Sequence, residues 1–286
     1  MGIHEKMQRL EIVRHQAEMG IVSFCIGLII FFCGMGFFQS TASMVIGLIV
    51  IALGVLLFKG THEQYKKTYK DLFAEEPLNK NFENVYYAPR SGFDLETVND
   101  FQLCARGNKA TSEDYIKATY NGINFEMSDV TLENTNKDHR SGENILFMGR
   151  IIKFEFKGKY VSPVRVYSKL FYYRSKKHAT AEHKIEMESI DFNETFDVYT
   201  ENEHDAYYLL TPLFMEQLKK LQKKYQNISI MIFGNTAIAC LNEKHTNDSF
   251  DKNNWLEKVT YPEEIEKVQS DIDDLKTIMD VVNSVI

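Results

Sequence analysis

The chain is predicted to be α+β: an N-terminal transmembrane helical hairpin, then a soluble domain of antiparallel sheet and packed helices, then a C-terminal amphipathic helix. Three observations predict this. Residues 20–58 carry no charged side chain in a chain whose charged fraction is 26 %. Apolar and polar residues alternate in short runs between about 115 and 199. From Ile265 onward, apolar residues recur every three or four positions.

The charge-free stretch holds two apolar runs, Gly20–Phe38 and Met44–Phe58, separated by the short polar segment Gln39–Ser43, and the spans are expected at about 20–38 and 41–58. A helix of ~19 residues is ~28 Å long, close to the ~30 Å hydrocarbon core of a bilayer. The first run is too long for the core of a signal peptide, and a second follows at once. Lys6, Arg9 and Arg14 precede the hairpin, Lys59, Lys66, Lys67 and Lys70 follow it, and the turn has no positive charge. Positive charge stays inside. Both termini and the soluble domain are therefore expected on the cytoplasmic face of a plasma (inner) membrane, with the turn outside.

Gly20, Gly27 and Gly34 are spaced seven apart, as are Gly47 and Gly54. Seven residues are nearly two helical turns, so each set forms one stripe. Small residues let membrane helices approach closely, and these stripes are read as the contact between the two helices, with a contact between subunits as the alternative. The spans hold no ionisable group that could carry a proton or ion path.

Expected boundaries are 1–60 for the N-terminal helix and hairpin, 61–90 for a helical stalk and linker, 91–260 for the soluble domain, and 261–286 for the C-terminal helix. Before residue 20, Lys6, Arg9 and Arg14 balance Glu5, Glu11 and Glu18, so the formal charge of −7 belongs to the soluble part. An acidic domain excludes nucleic acid as the favoured partner. Cys25 and Cys33 lie in the spans, and Cys104 and Cys240 stand isolated. No C-x-x-C occurs, a pattern of a reduced compartment.

Residues 61–75 continue the second span as a helix, with Lys66, Lys67 and Lys70 either near the lipid headgroups or on an ordinary solvated face. Pro77 and Pro89 punctuate a connecting segment. Ile123/Phe125/Met127, Ile152/Phe154/Phe156, Ile185/Met187 and Phe196/Val198 alternate with polar residues as half-buried strands do. Asn134–Asn144 and Arg174–His183 read as loops. Thr211-Pro212 reads as a cap and first turn of a helix with Met215, Leu218, Leu221 and Tyr225 on its apolar face. Lys219, Lys220, Lys223 and Lys224 mark its opposite face. Gly234-Asn235 reads as a two-residue hairpin turn. Pro262 starts the last helix, whose Ile265, Val268, Ile272, Leu275, Met279 and Val282 form a narrow seam. The seam can lie on the chain's own domain or pair with another helix.

The stretch 190–241 reads I-D-F-N-E-T-F-D-V-Y, then D-A-Y-Y-L-L-T-P-L-F-M, then I-S-I-M-I-F-G-N-T-A-I-A-C-L. Phe192, Phe196, Val198, Tyr199, Ala206, Leu209, Leu210, Thr211, Pro212, Phe214 and Met215 carry a resemblance to a bacterial two-span membrane-protein family. That family is catalogued as a domain of unknown function and sometimes labelled "galanin". The resemblance implies a plasma-membrane protein of unassigned role, with LemA-type membrane proteins encoded nearby as implied partners. It brings no catalytic residue. Physically, Phe192, Phe196 and Val198 are expected on the inner face of a strand, and Thr211 and Pro212 at a helix start.

No H-E-x-x-H, P-loop or G-x-S-x-G motif is present. His178, Glu182 and His183 would need a further ligand to hold a metal. Glu201, Glu203, His204 and Asp205 form an acidic cluster that suits a helix N-terminus. Trp255 is expected to pack under the last helix or sit at headgroup level. No cofactor, metal or catalytic residue is expected. The expected function is a membrane-anchored interaction or scaffold module, binding the bilayer and a second protein or itself. The alternatives are a membrane-associated enzyme whose site leaves no motif, or a lipid-sensing oligomer.

Overall fold

A computed structural model describes residues 3–36, 40–135, 145–156, 161–169, 182–225, 227–242 and 257–285. The order is two long helices, an antiparallel sheet with interspersed helices, and a C-terminal helix. The chain divides into a helical unit, Met1–Pro77 with Asp248–Gln269, and a sheet unit, Leu78–Asn247 with Ser270–Ile286.

In the helical unit, α1 (Ile3–Gly36) and α2 (Thr41–Lys70) run antiparallel. The second continues through a π-helical turn, Asp71–Glu75, into α3 (Glu76–Asn81). Both helices are long and apolar enough to cross a membrane. Glycine sets their contact. Gly20 lies against Phe58, Gly27 against Ile51, Gly34 against Ser43, Gly47 against Phe31 and Gly54 against Phe24. A Cβ built on Gly54 would sit 2.6 Å from the Phe24 nitrogen, and one on Gly27 would sit 2.7 Å from the Ile51 nitrogen. No side chain fits there. The large apolar residues point the other way: Ile29, Phe32, Leu48, Ile49, Leu53 and Leu56 are each more than half exposed.

At ~1.5 Å per residue, α1 is ~51 Å long, so part of it must project beyond a ~30 Å core. The polar ends of both helices have a packing scheme of their own. Leu10, Val13 and Ala17 on α1 and Tyr65 and Tyr69 on α2 are buried. Rings follow one another along this end in the order Tyr65, Tyr69, Phe73 and Tyr261, with centroids 6.3, 4.7 and 5.8 Å apart. The Tyr69 hydroxyl donates to Glu264 Oε2 at 3.0 Å, and Lys6 pairs with Glu76 at 2.8 Å. Lys70 is buried, not directed to headgroups. Leu72, Phe73 and Ala74 are consecutive and all buried. One α-helical face cannot hold three successive residues, and the π turn falls where the helix is covered on more than one side.

In the sheet unit, the strands are β1 (Glu83–Ala88), β2 (Lys109–Tyr120), β3 (Ile123–Glu133), β4 (Ile145–Glu155), β5 (Val161–Ser168), β6 (His183–Ile185), β7 (Phe196–Thr200), β8 (Asn227–Gly234) and β9 (Thr236–Asn242). Among the described residues they form one sheet in the order β1-β2-β3-β4-β9-β8-β5-β7-β6, with every neighbour antiparallel. Gly234-Asn235 makes the β8–β9 turn, with Gly234 at φ 59°. Asn121 and Gly122, both at positive φ, make the β2–β3 turn.

The sheet buries both faces. One holds Val130, Ile151, Tyr167, Tyr199, Met231, Ile238 and Cys240, packed against Phe93, Val98, Phe101, Leu103 and Cys104. That cover includes the short helix α4 (Leu95–Asp100), capped by Asp94, whose carboxylate accepts from the Thr97 nitrogen. The other face holds Arg150 and Asp129. It is met by α8 (Tyr261–Val285) through Asp271, and α7 (Pro212–Lys224) is tied to α8 through Lys224. The remaining short helices are α5 (Ile190–Thr195) and α6 (Glu203–Leu209).

Two further expectations are corrected here. The segment read as linker between Pro77 and Pro89 contains β1. Phe192 sits on α5, not on a strand: Ser189 Oγ accepts from the Phe192 nitrogen and caps the helix. Phe192 and Phe196, four residues apart, then bring their rings to 4.9 Å. Most of the 134–144 and 174–183 loops and all of Trp255 lie outside the described residues.

The glycine contact predicts opposite signs for two substitutions in one helix. Gly54→Leu should lower the thermal midpoint of the detergent- or lipid-held protein, with a cost of about 1–3 kcal/mol for overpacking. Gly60→Ala has open space around its Cβ and should leave the midpoint unchanged or raise it. Circular dichroism melting of the two variants checks both.

Candidate functional site

The side chains singled out in the sequence divide by role. Gly20, Gly27, Gly34, Gly47 and Gly54 are buried at the helix pair. Phe192, Phe196, Val198 and Tyr199 are buried in the sheet unit. Thr211 Oγ1 accepts from the Phe214 nitrogen, and Pro212 occupies the first helical position. Of the seam on α8, Val268, Ile272, Leu275 and Met279 are buried within the chain and Ile265 is half-buried. The Val282 side chain lies outside the described residues. The seam is thus covered by the chain itself.

The acidic cluster does not converge. His183 Nε2 lies 3.2 Å from Glu203 Oε1, with both side chains more than half exposed. Glu201 and His204 are also exposed. Asp205 Oδ2 accepts from the Ser162 nitrogen at 2.8 Å. Asn202 Oδ1 accepts from the His204 nitrogen and caps α6. Among the described residues, no group of three or more His, Cys, Asp or Glu side chains is placed to hold a metal ion. His178, the other histidine of that segment, lies outside them.

Two polar constellations emerge that the sequence does not announce. The first is an ion-pair chain on the α8 face. Arg150 makes two parallel bonds to Asp129, Nε to Oδ1 at 2.8 Å and Nη2 to Oδ2 at 3.0 Å, and reaches Asp271 at 3.4 Å. Lys224 meets Asp271 at 3.1 Å and also Asp274, which accepts from the Tyr225 hydroxyl at 2.9 Å. Burial works to lower the Lys224 pKa. The hydrogen bond to Asp274 and the charges of Asp271 and Asp274 outweigh it and hold the ammonium above its ordinary value. Burial, reinforced by the same two carboxylates, pushes the Tyr225 phenol far up. Strands β3 and β4 and helix α7 are thereby fastened to the last helix. The acid run Asp271, Asp273, Asp274 opposite a lysine-rich helix is the signal that could have suggested it.

The second lies on the opposite face. Arg165 Nε pairs with Glu182 Oε1 at 2.7 Å, and its Nη1 donates to the Gln102 carbonyl at 3.2 Å. The Tyr167 hydroxyl donates to the same carbonyl at 3.1 Å. Gln102, at φ 53°, turns the chain out of α4. Ser229 Oγ donates to the Leu103 carbonyl at 3.3 Å. Burial pushes the Tyr167 phenol to about 12. Next in the chain is Cys104, its Sγ 4.0 Å from that of Cys240. A sequence separation of 136 gave no spacing by which to pair them. These contacts pin the covering segment to the sheet.

A family model described as "Protein of unknown function (DUF3137)" matches residues 145–285, the stretch from β4 through α8 that contains Phe192–Tyr199 and Thr211-Pro212. No curated protein matches the chain. Among solved structures, the crystal structure of the mycobacterial trehalose monomycolate transport factor A, TtfA, is similar over 76 % of this chain and 93 % of that one. The identity is 8 % and the TM-score 0.39, a likeness too slight to bear on function.

Both constellations predict alkaline sensitivity. Between pH 10 and about 12, the unfolded chain has lost the Tyr167 proton while the folded chain keeps it. Stability present below pH 10 is therefore lost as pH rises, at about 1.4 kcal/mol per pH unit for this group. Tyr167→Phe should reduce the slope of unfolding free energy against pH by one proton over that window, as read from urea titrations. Arg150→Met leaves the half-buried Asp129 and Asp271 without their guanidinium and should cost up to about 3 kcal/mol in the same measurement at pH 7.

Proposed function

We propose that this chain is a membrane-anchored interaction or scaffold module, with both termini and the sheet unit on the cytoplasmic face of a bacterial plasma membrane. The observation that carries the anchor is the inside-out construction of the helix pair, with glycines at the contact and large aliphatic and aromatic side chains facing outward. In water, such a pair would expose a broad apolar belt and gain nothing by it. In lipid, backbone packing holds the pair and the belt meets acyl chains. The lysine and arginine bias of the flanks supports the orientation.

The interaction role is supported by the sheet unit's surface, not by the α8 seam, which the chain covers. Ile190, Tyr207, Tyr208 and Leu213 are exposed and all come from the stretch between α5 and the start of α7. Exposed aromatic and aliphatic side chains are the usual anchors of a protein contact. The partner is a second protein or another copy of this chain, and the LemA-type proteins implied by the family resemblance are the first to test. The polar groups of the two constellations are spent on ion pairs and pins between elements, which supports a binding role over a catalytic one.

Impermeant-thiol labelling of intact cells tests the anchor and its direction. In a background with Cys25 and Cys33 replaced by serine, Ser40→Cys should label without lysis. Tyr86→Cys, on an exposed position of β1, should label only after lysis. Labelling of Tyr86→Cys in intact cells would reverse the orientation, and protection of Ser40→Cys in intact and lysed cells alike would remove the exposed turn.

A further inference from the structure

Cys104 lies just beyond α4, in the segment that covers the Tyr167 face of the sheet. Cys240 lies on β9, between β4 and β8. Both are free, buried thiols, and their sulfurs are 4.0 Å apart. The approach is held from the preceding residues. The Gln102 carbonyl accepts from Arg165 and Tyr167, and the Leu103 carbonyl accepts from Ser229. Three hydrogen bonds to two successive residues set where Cys104 sits against the strand. A disulfide needs the sulfurs at about 2.05 Å, and a step between side-chain rotamers moves a sulfur by about 3 Å.

We propose that Cys104 and Cys240 form a reversible disulfide, an oxidative modification site that clamps the covering segment onto β9. The oxidant is a hydroperoxide. The thiolate of one cysteine attacks a peroxide oxygen; the O–O bond breaks, a sulfenic acid forms, and water or an alcohol leaves. The second thiol gives up its proton and attacks the sulfenic sulfur; the S–S bond forms, the S–O bond breaks, and water leaves. Two electrons pass from the two sulfurs to the peroxide, and a dithiol reductant reverses the step.

The same geometry sets when the reaction runs. The contact with Cys240 and burial together hold the Cys104 thiol well above its ordinary pKa, so little thiolate is present while the segment is docked. Oxidation follows transient lifting of the segment, and the disulfide then holds it down. The site reports how often this cover opens, which distinguishes it from a permanently exposed redox cysteine.

The full chain in detergent, with Cys25→Ser and Cys33→Ser, is treated with hydrogen peroxide, unfolded, alkylated and mapped by mass spectrometry. The expected result is loss of both alkylatable thiols, a cross-linked Cys104–Cys240 peptide, and a higher thermal midpoint that dithiothreitol returns to its starting value. Low urea should speed the cross-link by exposing the segment. Recovery of both residues as alkylated thiols, or as separate sulfinic acids without a cross-link, would overturn the proposal. Cys240→Ser gives a second reading: Cys104 should then stop at sulfenic or sulfinic acid, and a variant that oxidises no differently from the parent counts against the pair.

Discussion

The approach of two helix backbones through glycine is the constraint on which the N-terminal unit depends. Gly20, Gly27 and Gly34 face Phe58, Ile51 and Ser43, and Gly47 and Gly54 face Phe31 and Phe24. Each glycine receives the backbone of a larger residue, so the large side chains are displaced outward. A water-soluble helix pair does the reverse, burying its large apolar residues and exposing small or polar ones. The register set in the apolar part carries on into the polar ends, where Lys6 reaches Glu76 and Leu10, Val13 and Ala17 are buried. One packing rule thus governs the part suited to lipid, and a second, built on tyrosines and a buried glutamate, governs the part beyond it.

The sheet unit solves a different problem. A wide antiparallel sheet with apolar residues on both faces needs two covers, and this chain supplies unlike ones. One face has α7 and the later turns of α8, joined by the Arg150–Asp271–Lys224–Asp274 chain. The other has a mostly irregular segment containing the short α4, fastened through carbonyls at Gln102 and Leu103. The ion-pair chain brings directional, low-dielectric contacts to the helical cover, and its members lose much when any one is removed. The irregular cover has fewer internal hydrogen bonds to sustain it and depends on what the sheet offers, which is why the cysteine pair beneath it matters.

What could be read from the sequence follows the range of the interaction. The hairpin was legible because absence of charge over 20–58 and a seven-residue glycine period are local signals. Strands β3, β4 and β7 were legible from alternation, and the β8–β9 turn from Gly234-Asn235. Strand β5 was not, because Pro163 and an irregular register between Val161 and Val164 break its pattern. Phe192 was misplaced because a spacing of four fits both a helix and one side of a strand, and Ser189 settles it as a cap. The α8 seam was visible as a period, but not what covers it. Arg150 with Asp271, and Cys104 with Cys240, lie more than a hundred residues apart, and no local pattern joins them.

The central claim is that the helix pair lives in lipid. Washing native membranes with alkaline carbonate tests it directly, because the wash strips proteins held by charge or by other proteins and leaves those that span the bilayer. The account predicts that the full chain stays with the membrane pellet and is released only by detergent, even though the high pH weakens the sheet unit. Release of the full chain into the carbonate supernatant would contradict it.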